Sequence, residues 1–275
     1  MNIDDPDDPR VADYRAAFRD RASDLFLCEG RFVVSRLLAA PRFRTRSILA
    51  TPRALDDLRA ALGPVAPPVF LASSATMRAI FGFKFHRGCL ALGERPARLD
   101  APESVIEGGP PVVAGEPNAP RLVIGLDEVS DPDNVGAIFR NAAAFGAAGV
   151  LLSAGSADPL YRKTIRVSMA ATLSIPFART GWPAALDALR GAGYTLVALT
   201  PDRAADPIGR AAPRLAAQRL ALIVGAEGSG LGRQSRERAD VCVRIPMASG
   251  VDSLNVATAC GIALHRLAGG IMGEP

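Results

Sequence analysis

The segment "LDEVSDPDNVGAIFRNAAAFGAAGVLLS" (residues 126–153) decides the fold, because it combines a strand end, an acidic turn, a helix and a second strand. We predict the helix over residues 134–146, since Asp133 or Asn134 can cap its start and Gly146 can end it. Its buried stripe, by three- and four-residue spacing, consists of Val135, Ile138, Ala142 and Phe145.

One arginine of this helix, Arg140, lies off the buried stripe. Its helical neighbours three and four residues away are all small: Gly136, Ala137, Ala143 and Ala144. This spacing leaves room for a ligand or another chain to approach the guanidinium. The same pattern also fits a surface arginine on an alanine-rich helix, so the segment alone leaves both interpretations open.

The remainder of the C-terminal part repeats the alternation of strands and helices. Apolar strand-like runs cover about 121–129, 149–153, 195–200, 220–226 and 241–246, and helical patterns cover 134–146, about 160–171, 183–191 and 253–268. This alternation predicts a mainly parallel sheet with helices on both faces. Ligands of such sheets bind at the carboxyl ends of the strands, which directs attention to the loops after 121–129, 195–200, 220–226 and 241–246.

Two of these loops carry polar residues in glycine-rich or helix-starting positions. In "LALIVGAEGSGL" (220–231), Gly225 ends a strand and Glu227 stands among glycines, although neither a dinucleotide nor a P-loop fingerprint is present. This sequence is compatible with two roles for Glu227: a carboxylate that binds a ligand, or a solvated glutamate in a glycine-rich turn. In residues 241–267, Asp252 or Ser253 can cap a helix, and Asn255 lies one turn in, where we predict burial and a paired amide.

The N-terminal part differs in composition and charge. Residues 1–95 are predicted to form a small α/β domain, residues 96–120 a Pro- and Gly-rich linker, and residues 121–275 the second domain. Seven arginines, starting with Arg31, crowd into residues 31–59, and "GFKFHRG" interleaves phenylalanines with Lys84, His86 and Arg87. Arginines and aromatic rings together suit RNA, and the alternative is a solvated basic face with buried phenylalanines on a strand.

Bulk composition excludes several classes of protein. The 275-residue chain has a formal net charge of +4, no apolar run of membrane-spanning length and an acidic N-terminus without a signal-peptide pattern. Its four cysteines are far apart and it has two histidines, so we expect neither a disulfide scaffold nor a metal site. A cytoplasmic protein without membrane attachment is the expectation.

The three loops together resemble the signature motifs of the SpoU/TrmH family of SPOUT RNA methyltransferases. "DPDNVGAIFRNAAAFG", "IVGAEGSGL" and "IPMASGVDSLNVA" resemble the first, second and third motif, and the resemblance covers most of residues 121–268. More loosely, "FLCEGRFVVSRLL" and "HRGCLAL" resemble the family's L30e-like substrate-binding domain.

The resemblance implies a trefoil-knotted α/β domain, S-adenosylmethionine as methyl donor, a ribose 2′-hydroxyl as acceptor, and a homodimer with RNA across its interface. By motif position it implies a catalytic set and a cofactor set: Asn134, Arg140, Glu227, Ser253 and Asn255 for catalysis, and Thr200, Gly225, Ile245 and Leu254 for the cofactor. Arg31, Lys84, His86 and Arg87 are the candidate RNA-binding residues.

The sequence leaves the RNA substrate and the role of Arg140 open. Ribosomal RNA is favoured over transfer RNA because a separate N-terminal domain is present, and the alternatives are a non-catalytic RNA-binding protein and a nucleotide-dependent oxidoreductase. No histidine lies in the three quoted motifs. A guanidinium scarcely deprotonates, so we expect Arg140 to bind a phosphate and to orient the 2′-hydroxyl.

Overall fold

The computed structural model describes residues 1–19, 24–82, 88–96, 101–107, 121–216 and 218–272. It divides the chain into two units, Met1–Ala97 with Pro159–Ser174, and Arg98–Asp158 with Ile175–Pro275. Lys84, His86, Arg87 and most of the predicted linker lie outside the described residues.

The first unit is built on a five-stranded sheet. Its strands are β1 (Asn2–Ile3), β2 (Leu25–Glu29), β3 (Arg44–Ala50), β4 (Val69–Ala72) and β5 (Cys89–Glu94), in the order β1-β4-β3-β5-β2. Strands β1, β4 and β3 run parallel, whereas β5 is antiparallel to both β3 and β2. Its helices are α1 (Ala12–Arg19), α2 (Arg31–Leu38), α3 (Pro52–Leu58), α4 (Ser74–Phe81) and α7 (Arg162–Val167), with 3-10 turns at Pro9–Val11, Arg59–Ala61 and Ala171–Leu173.

Helix α7 belongs to this first unit although it comes late in the chain. Arg162 approaches Glu29 of β2 at 3.3 Å and lies 4.4 Å from the centre of the Phe18 ring. The sequence-based boundaries placed residues 159–174 within the second domain. The helix instead packs with the first unit, where it contacts β2. Contacts between residues so far apart in the chain cannot be predicted from a local hydrophobic pattern.

The second unit contains a seven-stranded sheet. Its strands are β6 (Arg121–Asp127), β7 (Gly149–Leu152), β8 (Phe177–Arg179), β9 (Tyr194–Leu199), β10 (Asp206–Pro207), β11 (Arg219–Gly225) and β12 (Val241–Arg244). The order is β10-β12-β9-β11-β6-β7-β8, and every neighbouring pair is parallel. The helices are α5 (Glu103–Ile106), α6 (Pro132–Ala144), α8 (Ala184–Gly191), α9 (Ile208–Leu215), α10 (Arg233–Arg238) and α11 (Val256–Met272).

The predicted α/β class with a parallel sheet is therefore confirmed, whereas the knot and the L30e-like character of the first unit stay predictions. The central strands are mostly apolar, and all seven residues of β6 are buried, including Arg121 and Asp127 at its two ends. Strands that are buried on both faces have nearly continuous apolar sequences, and these strands could be predicted because of that pattern.

Helix α6 begins two residues earlier than predicted. Its cap is Asp131, whose side chain accepts a hydrogen bond from the Asp133 backbone N–H at 2.9 Å. The expected cap, Asp133 or Asn134, is therefore wrong, and Asn134 lies buried in the first turn. Of the predicted stripe, Val135, Ile138 and Ala142 are buried and Phe145 is half-buried, and Phe139 is buried as well.

Five elements of the second unit were not predicted: α5, β8, β10, α9 and α10. Helix α10 has the sequence RQSRER and carries no apolar periodicity. Helix α9 contains Pro213, which ordinarily signals a helix end, and β8 has three residues. In the part of the chain that the structure describes, no helix has both the length and the apolar character needed to cross a bilayer.

Candidate active site

The loops that carry the candidate residues meet at one edge of the second sheet. Strands β12, β9, β11 and β6 lie side by side and run parallel, so their carboxyl ends share that edge. The loops after β9, β11 and β12 enclose a cavity of about 590 Å³. Its position agrees with the rule that such sheets bind ligands at the carboxyl ends of their strands.

The cavity brings together residues predicted separately from three loops. Among the residues that line it are all four cofactor candidates and three catalytic candidates: Thr200, Gly225, Ile245, Leu254, Glu227, Ser253 and Asn255. Apolar side chains, including Leu199 and Met247, make up part of the remaining wall. The arrangement combines an apolar surface with a few polar groups, as small-molecule sites do.

The segment Ala226–Leu231, here called the glycine loop, folds back over the end of β11. The Gly230 N–H donates to the Ala226 carbonyl at 3.0 Å, and Gly228 and Gly230 have φ values of 84° and 68°. At Gly225 a Cβ atom would lie 2.3 Å from the backbone of Gly230 and Leu231. Any side chain at Gly225 would therefore displace the loop that lines the cavity.

One amide group, that of Asn255, links all three motifs. Its Nδ2 donates to Oδ1 of Asn134 at 2.8 Å and to Oε1 of Glu227 at 2.8 Å. Its Oδ1 accepts hydrogen bonds from the backbone N–H groups of Ala257 at 3.0 Å and Thr258 at 3.2 Å. Both amide protons and both lone pairs are thus used within the protein. Asn255 therefore acts as a clamp on the other polar groups.

The position of Asn255 corrects two predictions. Helix α11 begins at Val256, so Asn255 caps the helix and is not one turn inside it, and Asp252 and Ser253 lie before the cap. The residue is also exposed, where burial was predicted. The expectation that its amide is fully paired is confirmed. The amide of an exposed asparagine that caps a helix can form all its hydrogen bonds with neighbouring groups, and burial is not needed for this.

Asn134, Glu227 and Ser253 keep unused hydrogen-bonding groups. Asn134 is 6% exposed and is bonded through its Oδ1, while Glu227 is exposed and is bonded through its Oε1. The Ser253 side chain makes no hydrogen bond with any described residue. The Asn134 Nδ2, the Glu227 Oε2 and the Ser253 hydroxyl are therefore available to a ligand.

Arg140 is separate from this cluster. It is exposed on α6, does not line the cavity, and makes neither a hydrogen bond nor an ion pair with the described part of the chain. An unpaired guanidinium on a helix of small residues is free to bind an anion that arrives from outside.

The RNA-binding candidates belong to the first unit. Arg31 is the first residue of α2, and its exposed side chain approaches Asp57 at 3.0 Å. An exposed pair of this kind contributes little to stability, so it leaves the arginine able to exchange partners. Arg31 as an RNA ligand stays a prediction, as do Lys84, His86 and Arg87.

Sequence reasoning missed some residues of the cavity wall. Arg236 of α10 and Asp202 after β9 both line it, and neither carries a local signal beyond its position near a strand end. Within the described ranges, no group of three or more His, Cys, Asp or Glu residues is arranged to hold a metal ion.

Comparison with known proteins finds similar RNA methyltransferases. Residues 121–265, which carry the cavity, match the SpoU rRNA Methylase family. An uncharacterized tRNA/rRNA methyltransferase of Mycobacterium bovis is 41% identical over 274 residues, with 97% of this chain and 91% of that protein covered.

Two solved structures are similar over nearly the whole chain. The AdoMet-bound rRNA methyltransferase from Sinorhizobium meliloti has a TM-score of 0.79 and 24% identity, covering 97% of each chain, which shows a shared fold. An RNA 2′-O ribose methyltransferase has a TM-score of 0.74 and 26% identity, covering 97% of this chain and 98% of the other.

Proposed function

Because the chain belongs to the SpoU rRNA methylase family of RNA methyltransferases, we propose that it methylates a ribose 2′-hydroxyl of RNA and takes the methyl group from S-adenosylmethionine. The observation that carries the proposal is the Asn255 clamp, which joins Asn134 and Glu227 beside a cavity containing all four cofactor candidates. The name of the similar 2′-O ribose methyltransferase supports the acceptor.

The cavity fits S-adenosylmethionine in size and in chemistry. Its volume of about 590 Å³ falls within the range of roughly 300–1,000 Å³ of small-molecule sites. Leu199, Ile245 and Leu254 offer apolar contacts for an aromatic base. Gly225 also lines the cavity, and its missing Cβ lets the backbone of Gly230 and Leu231 pack against it. When bound, the cofactor supplies a methyl group on a sulfonium centre.

The polar groups of the site would act on the acceptor. In this transfer the hydroxyl oxygen would bond to the methyl carbon while the carbon–sulfur bond broke to leave a neutral thioether, and the hydroxyl proton would pass to the Glu227 carboxylate. The protein must therefore position that oxygen. Glu227 Oε2 accepts a hydrogen bond from the hydroxyl, and Asn134 stays oriented through Asn255. Arg140 binds the phosphate beside the target ribose and polarises the hydroxyl oxygen.

Substitution of Gly225 tests the cavity as the cofactor site. We expect Gly225→Ala to weaken S-adenosylmethionine binding at least tenfold by calorimetry, because the new methyl group displaces the backbone of Gly230 and Leu231. Gly209→Ala on α9 is the matched control, since a Cβ there has nothing within 4 Å. Equal affinity of both variants would place the cofactor elsewhere.

Three further properties belong to the proposal. The enzyme works as a homodimer with RNA across the interface, which the exposed Ile262 on α11 supports. It acts in the cytoplasm, and its four free cysteines suit a reducing compartment. It prefers ribosomal to transfer RNA, and the support is the separate first unit.

The reaction is tested with purified protein, radiolabelled S-adenosylmethionine and total ribosomal or transfer RNA. We expect label in RNA, recovered after nuclease digestion as a 2′-O-methylated nucleoside identified by mass spectrometry. Label on a base would contradict the ribose acceptor. RNA binding without any transfer, with cofactor bound, would favour the non-catalytic alternative.

A further inference from the structure

Beneath the glycine loop lies a buried carboxyl group, that of Asp127, which the proposed chemistry does not use. Asp127 is the last residue of β6 and is 4% exposed. Its Oδ2 accepts two hydrogen bonds, from the Gly232 backbone N–H at 2.8 Å and from the Ser235 hydroxyl at 2.6 Å. Burying a carboxyl group is costly unless it is paired, so this arrangement holds its partners firmly.

Asp127 closes the glycine loop at both ends. In the sheet it lies opposite Gly225, the residue before the loop, and its side chain binds Gly232, the residue after it. A Cβ at Gly232 would lie 3.0 Å from Asp127 Oδ2, so the backbone and the carboxyl group are in direct contact. Every residue from Gly225 to Leu231 lines the cavity. The cavity wall thus depends on one side chain outside it.

The same network reaches the single tryptophan of the chain. The Ser235 hydroxyl, on a residue 1% exposed, accepts a hydrogen bond from Trp182 Nε1 at 2.8 Å. Trp182 is half-buried and packs against the core of the second unit. A shift of the glycine loop that moves Gly232 or Ser235 therefore changes the polar environment of the indole.

We propose that Asp127 is a positioning residue that preorganises the glycine loop for the cofactor, and that Ser235 couples loop position to Trp182. This inference rests on the proposed function, because Asp127 is proposed to shape the cavity that binds S-adenosylmethionine. Asp127 does not touch the reacting groups. Its effect is expected in cofactor affinity and not in the turnover number at saturating cofactor.

The test compares Asp127→Ala, Asp127→Asn and Ser235→Ala with the wild-type protein by calorimetry with S-adenosylmethionine. We expect Asp127→Ala to raise the Kd about tenfold or more, since both hydrogen bonds to the loop end are lost. Asp127→Asn keeps an oxygen that accepts from both donors, so its Kd should stay within about threefold of wild type. The turnover number at saturating cofactor should change less than about threefold in all variants that fold.

Trp182 fluorescence supplies a second readout. Titration of wild-type protein with S-adenosylmethionine should change the indole emission with a midpoint equal to the calorimetric Kd, and Ser235→Ala should reduce that change. A wild-type Kd for Asp127→Ala, or equal losses in Asp127→Ala and Asp127→Asn, would overturn the positioning role alone. Absence of binding by the wild-type protein would overturn the proposed cofactor, and this role with it.

Discussion

Replacement of Asn255 by alanine is expected to lower the turnover number of methyl transfer at least a hundredfold. The side chain holds Asn134 and Glu227 at 2.8 Å each, so its removal releases both polar groups that we place against the ribose. Losses of this size follow when one oriented polar group is removed from a reacting centre. The same change removes the cap of α11, at a cost of about 1 kcal/mol in the free energy of unfolding.

Asn255→Ser separates the two effects. Serine is a good helix cap, so this variant should keep the thermal unfolding midpoint within a few degrees of wild type. Its shorter side chain cannot reach both Asn134 and Glu227, and activity should therefore fall nearly as far as in Asn255→Ala. If Asn255→Ser were both stable and fully active in single-turnover assays, the clamp would have no catalytic importance.

Arg140→Lys is expected to lower the turnover number about a hundredfold while RNA binding stays within a few-fold of wild type. Lysine keeps the positive charge but loses the planar fork that can contact a phosphate and the hydroxyl oxygen together. Arg140 is exposed and has no partner within the described chain, so its replacement should not disturb the fold. Single-turnover kinetics and RNA binding measured on the same preparation separate chemistry from affinity.

Arg210→Lys is the matched control for Arg140→Lys. Arg210 is also an exposed arginine on a helix of the second unit, and it does not line the cavity. We expect it to change neither turnover nor RNA binding. Near-normal turnover of Arg140→Lys with normal RNA binding would refute a geometric role for the guanidinium.

Much of the second unit could be predicted from the sequence because its signals are local. Continuous apolar runs marked the central strands, and the rule for parallel sheets placed the ligand at their carboxyl ends. The neighbouring positions of β12, β9, β11 and β6 then brought Thr200, Gly225, Ile245 and Leu254 to one cavity. The family resemblance indicated the same residues by motif order.

The contacts that organise the site could not be predicted, because they join distant parts of the chain. Asn255 is an ordinary residue type for the start of a helix. Nothing near it in the sequence indicates that its amide binds Glu227, 28 positions earlier, and Asn134, 121 positions earlier. Asp127 reads as the polar end of a strand, although it anchors Gly232 and Ser235. The packing of α7 with the first unit is a third example of the same kind.

Methylation of a ribose 2′-hydroxyl in RNA is tested most directly by mapping 2′-O-methylation at nucleotide resolution in cells with and without this gene. We expect one site, or a few, to disappear from ribosomal RNA when the gene is deleted. The site should return with the wild-type gene and stay absent with Asn255→Ala. An unchanged map in ribosomal and transfer RNA would contradict the proposed ribose methylation.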